Sequence, residues 1–399
     1  MTYNAGGSTT NFPQGFANGI SVRGVPILQC QPGQVYYVNN SPVLNPGQHG
    51  GSNSAHGTFL DPFATLAYAL SQCVPGRGDI VMVGAGHAET ISTATALTLS
   101  VSGAAVVGLG AGAQRPTFTL GTATTTTIPV TGSSISLQNC LFVGSFLSIA
   151  SVFTSGPTSF TGVINGNLLT TSAVTGTIYP GALLAGTGVA GNSYVGAQQS
   201  GTTGGAGTYL IVGSQTTNVA STAMTTSPMD FAIDNCEFRD TSSVLGFLTI
   251  FTGSSTANAE NRFSLTRSVW NSLSTVSPTV ALTIGANQDG WSLLDNVMNS
   301  PITAVTQGPI LMAAGAFSLT NFSCGRNRLQ RPNTSNNIPC AISTSGTAWS
   351  GLAYDNYIGA VPTGTGIWIN TGTKLSFINN YSQITGAADK SALINPSAV

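Results

Sequence analysis

The sequence predicts an all-β fold of the right-handed parallel β-helix class, a solenoid with coils of about 30 residues. The first observation is a recurring four-residue unit that has Asn, or once Ser, at its second position. Successive second positions are 96, 33, 28, 31, 29 and 24 residues apart. The units are Gln138-Asn139-Cys140-Leu141, Asp234-Asn235-Cys236-Glu237, Arg267-Ser268-Val269-Trp270, Asp295-Asn296-Val297-Met298, Arg326-Asn327-Arg328-Leu329, Asp355-Asn356-Tyr357-Ile358 and Asn379-Asn380-Tyr381-Ser382.

A second signal has the same period. Short apolar segments, each followed by a glycine, recur between the units, and these glycines are 32, 30, 31 and 26 residues apart. The segments are rich in β-branched or aromatic residues and are bounded by Gly, Asn, Ser or Pro, which is typical of strands and turns. Two signals in phase predict stacked coils of two or three short strands, about 4.8 Å apart. The glycines are Gly253, Gly285, Gly315, Gly346 and Gly372.

The repeated asparagine predicts a structural ladder along one corner of the solenoid. Asn tolerates a left-handed turn conformation better than most residues. Its amide can also bond to the Asn of the next coil, as in the amide ladders of stacked strands. The predicted members are Asn139, Asn235, Asn296, Asn327, Asn356 and Asn380.

The residue before each repeated position alternates in charge along most of the stack. Like charges on adjacent coils would repel, whereas opposite charges attract. We therefore expect an ion-pair ladder along this corner, whose main role is to fix the register of the coils, since exposed pairs add less than about 1 kcal/mol each. Its members are Asp234, Arg267, Asp295, Arg326 and Asp355, with Asn379 at the end.

Length and composition exclude several classes of protein. The chain has 399 residues, of which 6% are charged, against about 25% in ordinary domains. No apolar run reaches the length of about 18 residues that a membrane span needs. The net charge of −1 argues against a nucleic-acid partner, which requires a basic face. The local cluster of Arg326, Arg328 and Arg331 is interpreted as a solvated corner. A nearly uncharged surface favours coverage by partner chains.

Six cysteines show neither metal-binding spacing nor a paired CxxC motif. Cys140 and Cys236 follow the Asn in successive units, and we expect them to stack in the core as small hydrophobic residues. A disulfide between them is not expected in a chain made in the cytoplasm. The six are Cys30, Cys73, Cys140, Cys236, Cys324 and Cys340.

The N-terminal part is predicted to contain an extended arm and then a capping helix that covers the open end of the solenoid. In the helix, Asp61 is the expected N-cap and Pro62 the first helical residue. The expected buried stripe is Phe63, Leu66, Ala67 and Leu70.

The capping region resembles the opening of many pectate-lyase-like β-helix proteins. The resemblance rests on the order Gly-Thr, a Pro-Phe-x-Thr-Leu helix, Gly-Asp, a strand and Gly-x-x-x-Glu, over about residues 57–120. It implies the fold and says almost nothing about activity. The matching segments are Gly57-Thr58, Pro62-Phe63-Ala64-Thr65-Leu66, Gly78-Asp79 and Gly86-His87-Ala88-Glu89.

Residues 160–224 interrupt the repeat. The step from Asn139 to Asn235 is 96 residues, and subtracting these 65 residues leaves 31, the length of one coil. We therefore expect a small β-module inserted in a single coil and projecting sideways. Its Gly- and Thr-rich sequence ends in Gly207-Thr208-Tyr209, a strand and Ser214-Gln215. It resembles a module inserted in many virion proteins of tailed phages.

The arm also resembles the starts of phage structural proteins, through Asn11-Phe12-Pro13-Gln14-Gly15-Phe16 and Arg23-Gly24-Val25-Pro26. The combination of arm and insert implies a phage particle. The predicted division is 1–54 for the N-terminal arm, 55–159 for the capping helix and first coils, 160–224 for the inserted module, and 225–399 for the remaining coils and C-terminus.

A search for catalytic chemistry identifies no site, and no cofactor or metal is expected. Glycoside hydrolysis needs two neighbouring carboxylates. Near Asp234 the candidates are Asp230, Glu237 and Asp240, but Asp234 and Glu237 are expected on different sides of the strand. The histidines lack metal-ligand spacing. They are His49, His56 and His87.

Two functions remain open. The preferred interpretation is a non-enzymatic virion protein, a capsid decoration (cement) or head-fibre protein, which is a homotrimer attached through residues 1–54 to the major capsid protein or another virion protein. It would be located in the virion, assembled in the host cytoplasm, with neither nucleic acid nor membrane as partner. The alternative is a tailspike or tail fibre that binds or cleaves a surface polysaccharide. An aromatic groove would favour the alternative, although core packing is the expected use of Trp270, Trp291, Trp349 and Trp368.

Overall fold

A computed structural model of the protein is all-β in the residues that it describes. Most strands belong to three parallel sheets, here named A, B and C, which the chain visits in turn. One passage through the sheets is called a coil. The described residues are 20–22, 25–27, 33–242, 244–253, 262–271, 273, 282–284, 287–299, 311–313, 318–330, 342–343, 349–361 and 373–384.

Sheet A precedes the recurring corner and sheet B follows it. The strands of sheet A are Val35–Val38, Ile80–Val83, Ala105–Gly108, Ile135–Gln138, Phe231–Asp234, Ser264–Thr266, Gln288–Asp289, Ser292–Leu294, Leu319–Gly325, Trp349–Tyr354 and Thr373–Ile378. Those of sheet B are Ala88–Ile91, Thr117–Leu120, Leu141–Gly144, Glu237–Asp240, Val269–Asn271, Val297–Asn299, Arg328–Gln330, Tyr357–Val361 and Tyr381–Ile384. Those of sheet C are Ile128–Val130, Phe153–Ser155, Phe251–Thr252, Leu282–Ile284, Leu311–Ala313 and Ile342–Ser343.

The core lies between the three sheets. Side chains alternate between the two faces of a strand, so in-register pairing stacks the inward residues of successive coils into columns. In sheet B the aromatic column includes Phe118, Phe142 and Phe238, whose rings stack at centroid distances of 5.6 and 5.4 Å. The inward column of sheet A is fully buried, which excludes water along the whole stack. Its members include Val106, Leu137, Ile233, Leu265, Leu293 and Cys324.

The capping helix starts later than the sequence predicts. It spans Leu66–Gln72, and Thr65, not Asp61, is the N-cap. Phe63 is still extended, because it bridges the first sheet A strand at Val38. The Glu89 carboxylate accepts a hydrogen bond from the Leu66 N–H at 3.0 Å, a favourable position for negative charge at a helix start.

The folded region begins earlier than residue 55, so the predicted arm of 1–54 is too long. Val35–Val38 pairs in parallel with Ile80–Val83 as the first strand of sheet A. The Gln34 N–H also donates to the buried Asp79 carboxylate at 2.7 Å. Before residue 33 the structure describes a hairpin of Ile20–Val22 and Val25–Ile27. The other residues before residue 33 lie outside the described residues.

The interrupted coil carries a closed antiparallel barrel of six strands. Its own core contains Phe160, Leu169 and Tyr209. The barrel follows the sheet C strand Phe153–Ser155 and precedes the sheet A strand Phe231–Asp234, and the predicted range 160–224 lies within it. Its strands are Thr158–Asn165, Leu168–Thr175, Leu183–Gly186, Ser193–Gly201, Gly207–Gly213 and Val219–Ser227. A single 3-10 turn, Gly112–Gln114, completes the described elements.

Candidate functional site

The sequence predicts that the repeated asparagines form one column. In the structure they are divided between two neighbouring columns at the corner between sheets A and B. In the first two repeat units the left-handed residue is the Asn itself, with φ of 55° at Asn139 and 51° at Asn235. In later coils the left-handed residue is the one before the Asn or Ser, such as Arg267 or Asp295. The Asn235 N–H bonds to the Thr266 carbonyl, immediately before Arg267, so strand register fixes this one-residue shift.

The inner column therefore contains different residue types at one structural position. From Ser268 onward, each side chain accepts a hydrogen bond from the backbone N–H of the preceding coil. The Cys236 N–H donates to Ser268 Oγ at 3.1 Å, and the Ser268 N–H donates to Asn296 Oδ1 at 2.9 Å. The members are Cys140, Cys236, Ser268, Asn296, Asn327, Asn356 and Asn380.

From Asn296 onward the column is a continuous amide ladder. Asn327 Oδ1 accepts from both the backbone N–H and the side-chain amide of Asn296, each at 3.0 Å. Asn327 donates in turn to Asn356 Oδ1 at 3.0 Å and to the Leu293 carbonyl at 2.9 Å. Asn356 repeats the pattern with Asn380 at 2.8 Å. Asn296, Asn327 and Asn356 are buried, so these bonds satisfy polar groups that water cannot reach.

The predicted ion-pair ladder consists of separate pairs between neighbouring coils. Arg267 makes a two-pronged contact with Asp234, one arm being Nε to Oδ1 at 2.8 Å. Arg326 makes the same contact with Asp295 at 2.7 and 2.6 Å. The hydrogen bond from Arg326 lowers the pKa of Asp295, although partial burial opposes the effect. Asp355, the last predicted acid, lies at the left-handed corner position and is exposed.

A further pair joins the other edge of sheet A, and the sequence analysis missed it. Arg262 Nε and Nη2 donate to the two carboxylate oxygens of Asp230 at 2.5 and 2.7 Å. Asp230 immediately follows the barrel, whose exit is also fixed by the Met229 N–H bonding to Ser133 Oγ at 3.2 Å. Asp230 and Arg262 both have positive φ, at 59° and 61°, but no sequence pattern marks them, because the segments that precede this edge differ in length.

The remaining acids considered as catalytic candidates hold backbone or arginine groups. Asp240 is buried, and its two oxygens accept from the Phe247 and Leu273 N–H groups at 2.8 and 2.9 Å. Glu237 lies between Arg239 at 2.6 Å and Arg115 at 3.4 Å. Neither arrangement leaves a carboxylate pair facing a common cleft.

The Asp79 carboxylate organises the N-terminal end. It is completely buried and accepts from the N–H groups of Gln34 and Val74 and from Arg77. Burial alone would raise the pKa of Asp79, but the hydrogen bonds from Arg77, Val74 and Gln34 together lower it. The network joins the first strand to the end of the capping helix.

The three histidines are structural in their contacts. His87 is buried, its Nδ1 accepts from the Asn40 N–H at 3.2 Å, and its Nε2 therefore donates to Glu89 at 3.2 Å. His56 Nδ1 lies 2.6 Å from Asp61, and this contact lowers the pKa of Asp61. Within the described ranges, no group of three or more His, Cys, Asp or Glu side chains is arranged to hold a metal ion.

Trp270, Trp291 and the four described cysteines belong to the core. Trp270 and Trp291 are fully buried, so they do not line a groove. Cys140 and Cys236 are buried in adjacent coils and are free thiols, and burial raises the pKa of Cys236 to about 12. Trp349 starts a sheet A strand. Trp368, Cys30, Cys340, Arg331 and all the repeat glycines except Gly253 lie outside the described residues.

Comparison with known proteins finds no matching family model and no matching curated protein. Among solved structures, pectate lyase Pel9A is 10% identical with a TM-score of 0.48, covering 92% of this chain and 81% of that one. A rhamnogalacturonan lyase is 12% identical with a TM-score of 0.37, covering 90% of this chain and 89% of that one. Likeness at this level carries no argument about activity or site. No described helix is long and apolar enough to cross a membrane.

Proposed function

We propose that the protein is a non-enzymatic structural component of a tailed-phage particle, built as a right-handed parallel β-helix. Right-handedness is the rule for parallel strands joined by crossovers. The preferred type is a capsid decoration (cement) or head-fibre protein that forms a homotrimer and attaches through its N-terminal arm to the major capsid protein or another virion protein. The arm and the inserted module support this proposal through their resemblance to phage structural proteins.

The main support for a non-enzymatic role is that nearly all described carboxylates are hydrogen-bonded or ion-paired within the fold. The structure describes ten of the twelve acids, and nine of these ten hold an arginine, a histidine, a backbone N–H or a neighbouring polar side chain. An acid or base in catalysis must reach a reacting group, whereas these carboxylates are engaged in the fold. The nine are Asp61, Asp79, Glu89, Asp230, Asp234, Glu237, Asp240, Asp289 and Asp295.

The alternative, a tailspike or tail fibre acting on a polysaccharide, draws less support. Its carboxylates would come from residues 230–240, where Asp230 and Asp234 are ion-paired and Asp240 is buried under backbone N–H groups. Its aromatic groove would need tryptophans, of which Trp270 and Trp291 are in the core.

Deletion of residues 1–32 tests the proposal. Residues 33 onward contain the first strand of sheet A and all its described partners, so the truncated chain should keep its β circular dichroism spectrum and unfolding midpoint. It should no longer incorporate into particles. The full-length chain is the incorporation control. Normal incorporation of the truncated chain would refute attachment through the arm.

Imaging of intact particles tests the location independently. Many copies spread over the head are expected for a decoration protein. A few copies at the tail tip would instead support the tailspike alternative, and Asp230 and Asp234 would then be the first acids to substitute.

A further inference from the structure

The outer face of sheet A carries charge in bands of alternating sign. From Phe231–Asp234 onward, the described charges at the two edges of each sheet A strand have one sign only. The sign reverses at every coil through six successive coils. Band one is Asp230 and Asp234, band two Arg262 and Arg267, band three Asp289 and Asp295, band four Arg326, band five Asp355 and band six Lys374.

Between the two charged edges most side chains of the central column are small. The outward column in the middle of the sheet consists mainly of small side chains in register, which are Ala232, Ser264, Ser292 and Ser323, followed by Leu352 and Ser376. The first five are only half-buried. Small residues in the centre allow a second surface to approach closely, while the bands remain at the rim, as in many protein interfaces.

Contacts within the chain account for part of the pattern. Asp230 pairs with Arg262, Asp234 with Arg267, and Asp295 with Arg326. Bands five and six are different. Among the described residues, no ion pair is formed by Asp355 or Lys374, and both are exposed. Alternation therefore continues into coils where no described contact within the chain uses it.

We propose that this face binds a second copy of the chain, face to face and antiparallel. A twofold axis that runs parallel to the strands, between bands three and four, reverses the direction of the coils. It places band one opposite band six, band two opposite band five, and band three opposite band four. Every band then faces a band of opposite sign.

The same axis keeps each edge of the sheet opposite the same edge of the second copy. Asp230 consequently faces Lys374, Arg267 faces Asp355, and Asp295 faces Arg326. Each contact occurs twice because of the symmetry. The two charges that lack an ion pair within the described chain, Asp355 and Lys374, both gain a partner of opposite sign.

A parallel arrangement of the two copies does not place bands of opposite sign opposite each other. Rotation about a twofold axis along the coils sets equal heights of this face against each other and brings like charges together. A shift of one coil would restore attraction, but a closed ring contains no such shift. The inference therefore goes beyond the proposed function: sheet A is a contact between antiparallel copies, and a homotrimer of parallel chains would use another face.

Sedimentation of the full-length chain tests the proposal first. We expect a concentration-dependent dimer that weakens at high ionic strength, because salt screens exposed charges. Lys374→Glu should raise the dimer dissociation constant by roughly tenfold, since one contact is reversed at two places. Arg239→Glu makes the same change of charge at an exposed position on sheet B and should leave the dimer unchanged. A chain that stays monomeric at all concentrations, or equal effects of the two variants, would overturn the proposal.

A charge exchange separates this geometry from a general electrostatic effect. The double variant Asp295→Arg/Arg326→Asp keeps an ion pair within the chain. It also keeps opposite charges across its own homodimer, because bands three and four face each other. Mixed with the original chain, however, it sets like charges against each other at both contacts. Native mass spectrometry of differently tagged chains should show both homodimers and few mixed dimers. Mixed dimers at the statistical share would rule out the antiparallel contact.

Discussion

The amide ladder makes a quantitative prediction at its centre, Asn327. Its side chain is 1% exposed and takes part in four hydrogen bonds to other coils. Asn327→Ala removes the acceptor for the Asn296 N–H and side-chain amide and the donor to the Leu293 carbonyl and Asn356 Oδ1. All four groups are left without that partner in the interior.

The expected loss of stability follows from those four groups. A buried polar group that loses its partner costs about 1–3 kcal/mol. The full sum is not expected, because the Asn296 amide keeps its bond to the Leu265 carbonyl and Asn356 Oδ1 keeps its bond from the backbone N–H of residue 327. Water can also enter the space left by the side chain. We therefore expect Asn327→Ala to lower the free energy of unfolding by about 3–5 kcal/mol.

Asn299→Ala is the matched control. Asn299 also bonds to the Asn of a neighbouring coil, with 2.7 Å between its Nδ2 and Asn271 Oδ1, but it lies half-buried on the outer face of sheet B. Water can replace its bonds, so we expect a loss of about 1 kcal/mol.

Urea unfolding measures the difference between the two variants, and amide hydrogen exchange localises it. The Asn296 N–H should exchange faster in Asn327→Ala than in Asn299→Ala, because only the former removes its acceptor. Equal losses of stability in the two variants, or an unchanged exchange rate at the Asn296 N–H, would refute the conclusion that the buried amide ladder stabilises the fold more than the exposed pair does.

Three further predictions concern other buried groups. Asp79→Asn should lower the free energy of unfolding by about 3 kcal/mol at neutral pH. Because folding lowers the pKa of Asp79, the stabilisation by its carboxylate is full above the ordinary value of 3.8 and is lost as the pH falls through the folded value. The free energies of unfolding of the variant and of the original chain should therefore converge when unfolding is measured at decreasing pH. The thiols of Cys140, Cys236 and Cys324 should not react with a thiol reagent before unfolding, since all three are buried and their pKa values are raised. Rapid labelling of these cysteines in the folded chain, detected by peptide mass spectrometry, would contradict this prediction. Gly246→Ala should lower the urea midpoint by the equivalent of about 2 kcal/mol, because a Cβ there would lie 2.1 Å from Asp240 Oδ1. Gly156→Ala is the control and should leave the midpoint unchanged, because the space around its Cβ position is open.

The all-β class and the parallel stacking could be predicted from the sequence because two patterns, the repeated asparagine units and the apolar segments that end in glycine, have the same period. Strand periodicity and turn residues act locally, so a repeat of about 30 residues shows them in every coil. The start of the capping helix could not be predicted in the same way. Asp61 has the ordinary N-cap signature, but Phe63 forms a bridge with Val38, and a nonlocal contact of that kind has no local sequence signal.

The charge pattern was visible in the sequence, whereas its arrangement on both edges of sheet A was not. Asp234, Arg267, Asp295, Arg326 and Asp355 lie beside the repeated unit and therefore appear in the alignment of the repeats. Residues at the opposite edge follow loops of different length, and one follows the whole inserted barrel. Loop-length variation removes the fixed spacing on which the sequence argument depended.

The one-residue error in aligning the asparagines has a physical cause that also explains the corner. Aligning the repeats by residue identity pairs Asn with Asn, but the feature that the inner column shares from Ser268 onward is an acceptor for the N–H of the preceding coil. Ser268 Oγ accepts from the Cys236 N–H and Asn296 Oδ1 from the Ser268 N–H, whereas the buried thiols of Cys140 and Cys236 donate to the carbonyls of Gln138 and Asp234. The single hydroxyl donor of Ser268 is used by the Thr266 carbonyl at 2.9 Å, whereas an amide has two N–H donors beside its acceptor oxygen, so it can bond to a carbonyl and also donate to the next coil. Only the amide can therefore extend the column as a ladder, which is why it becomes continuous where asparagine begins.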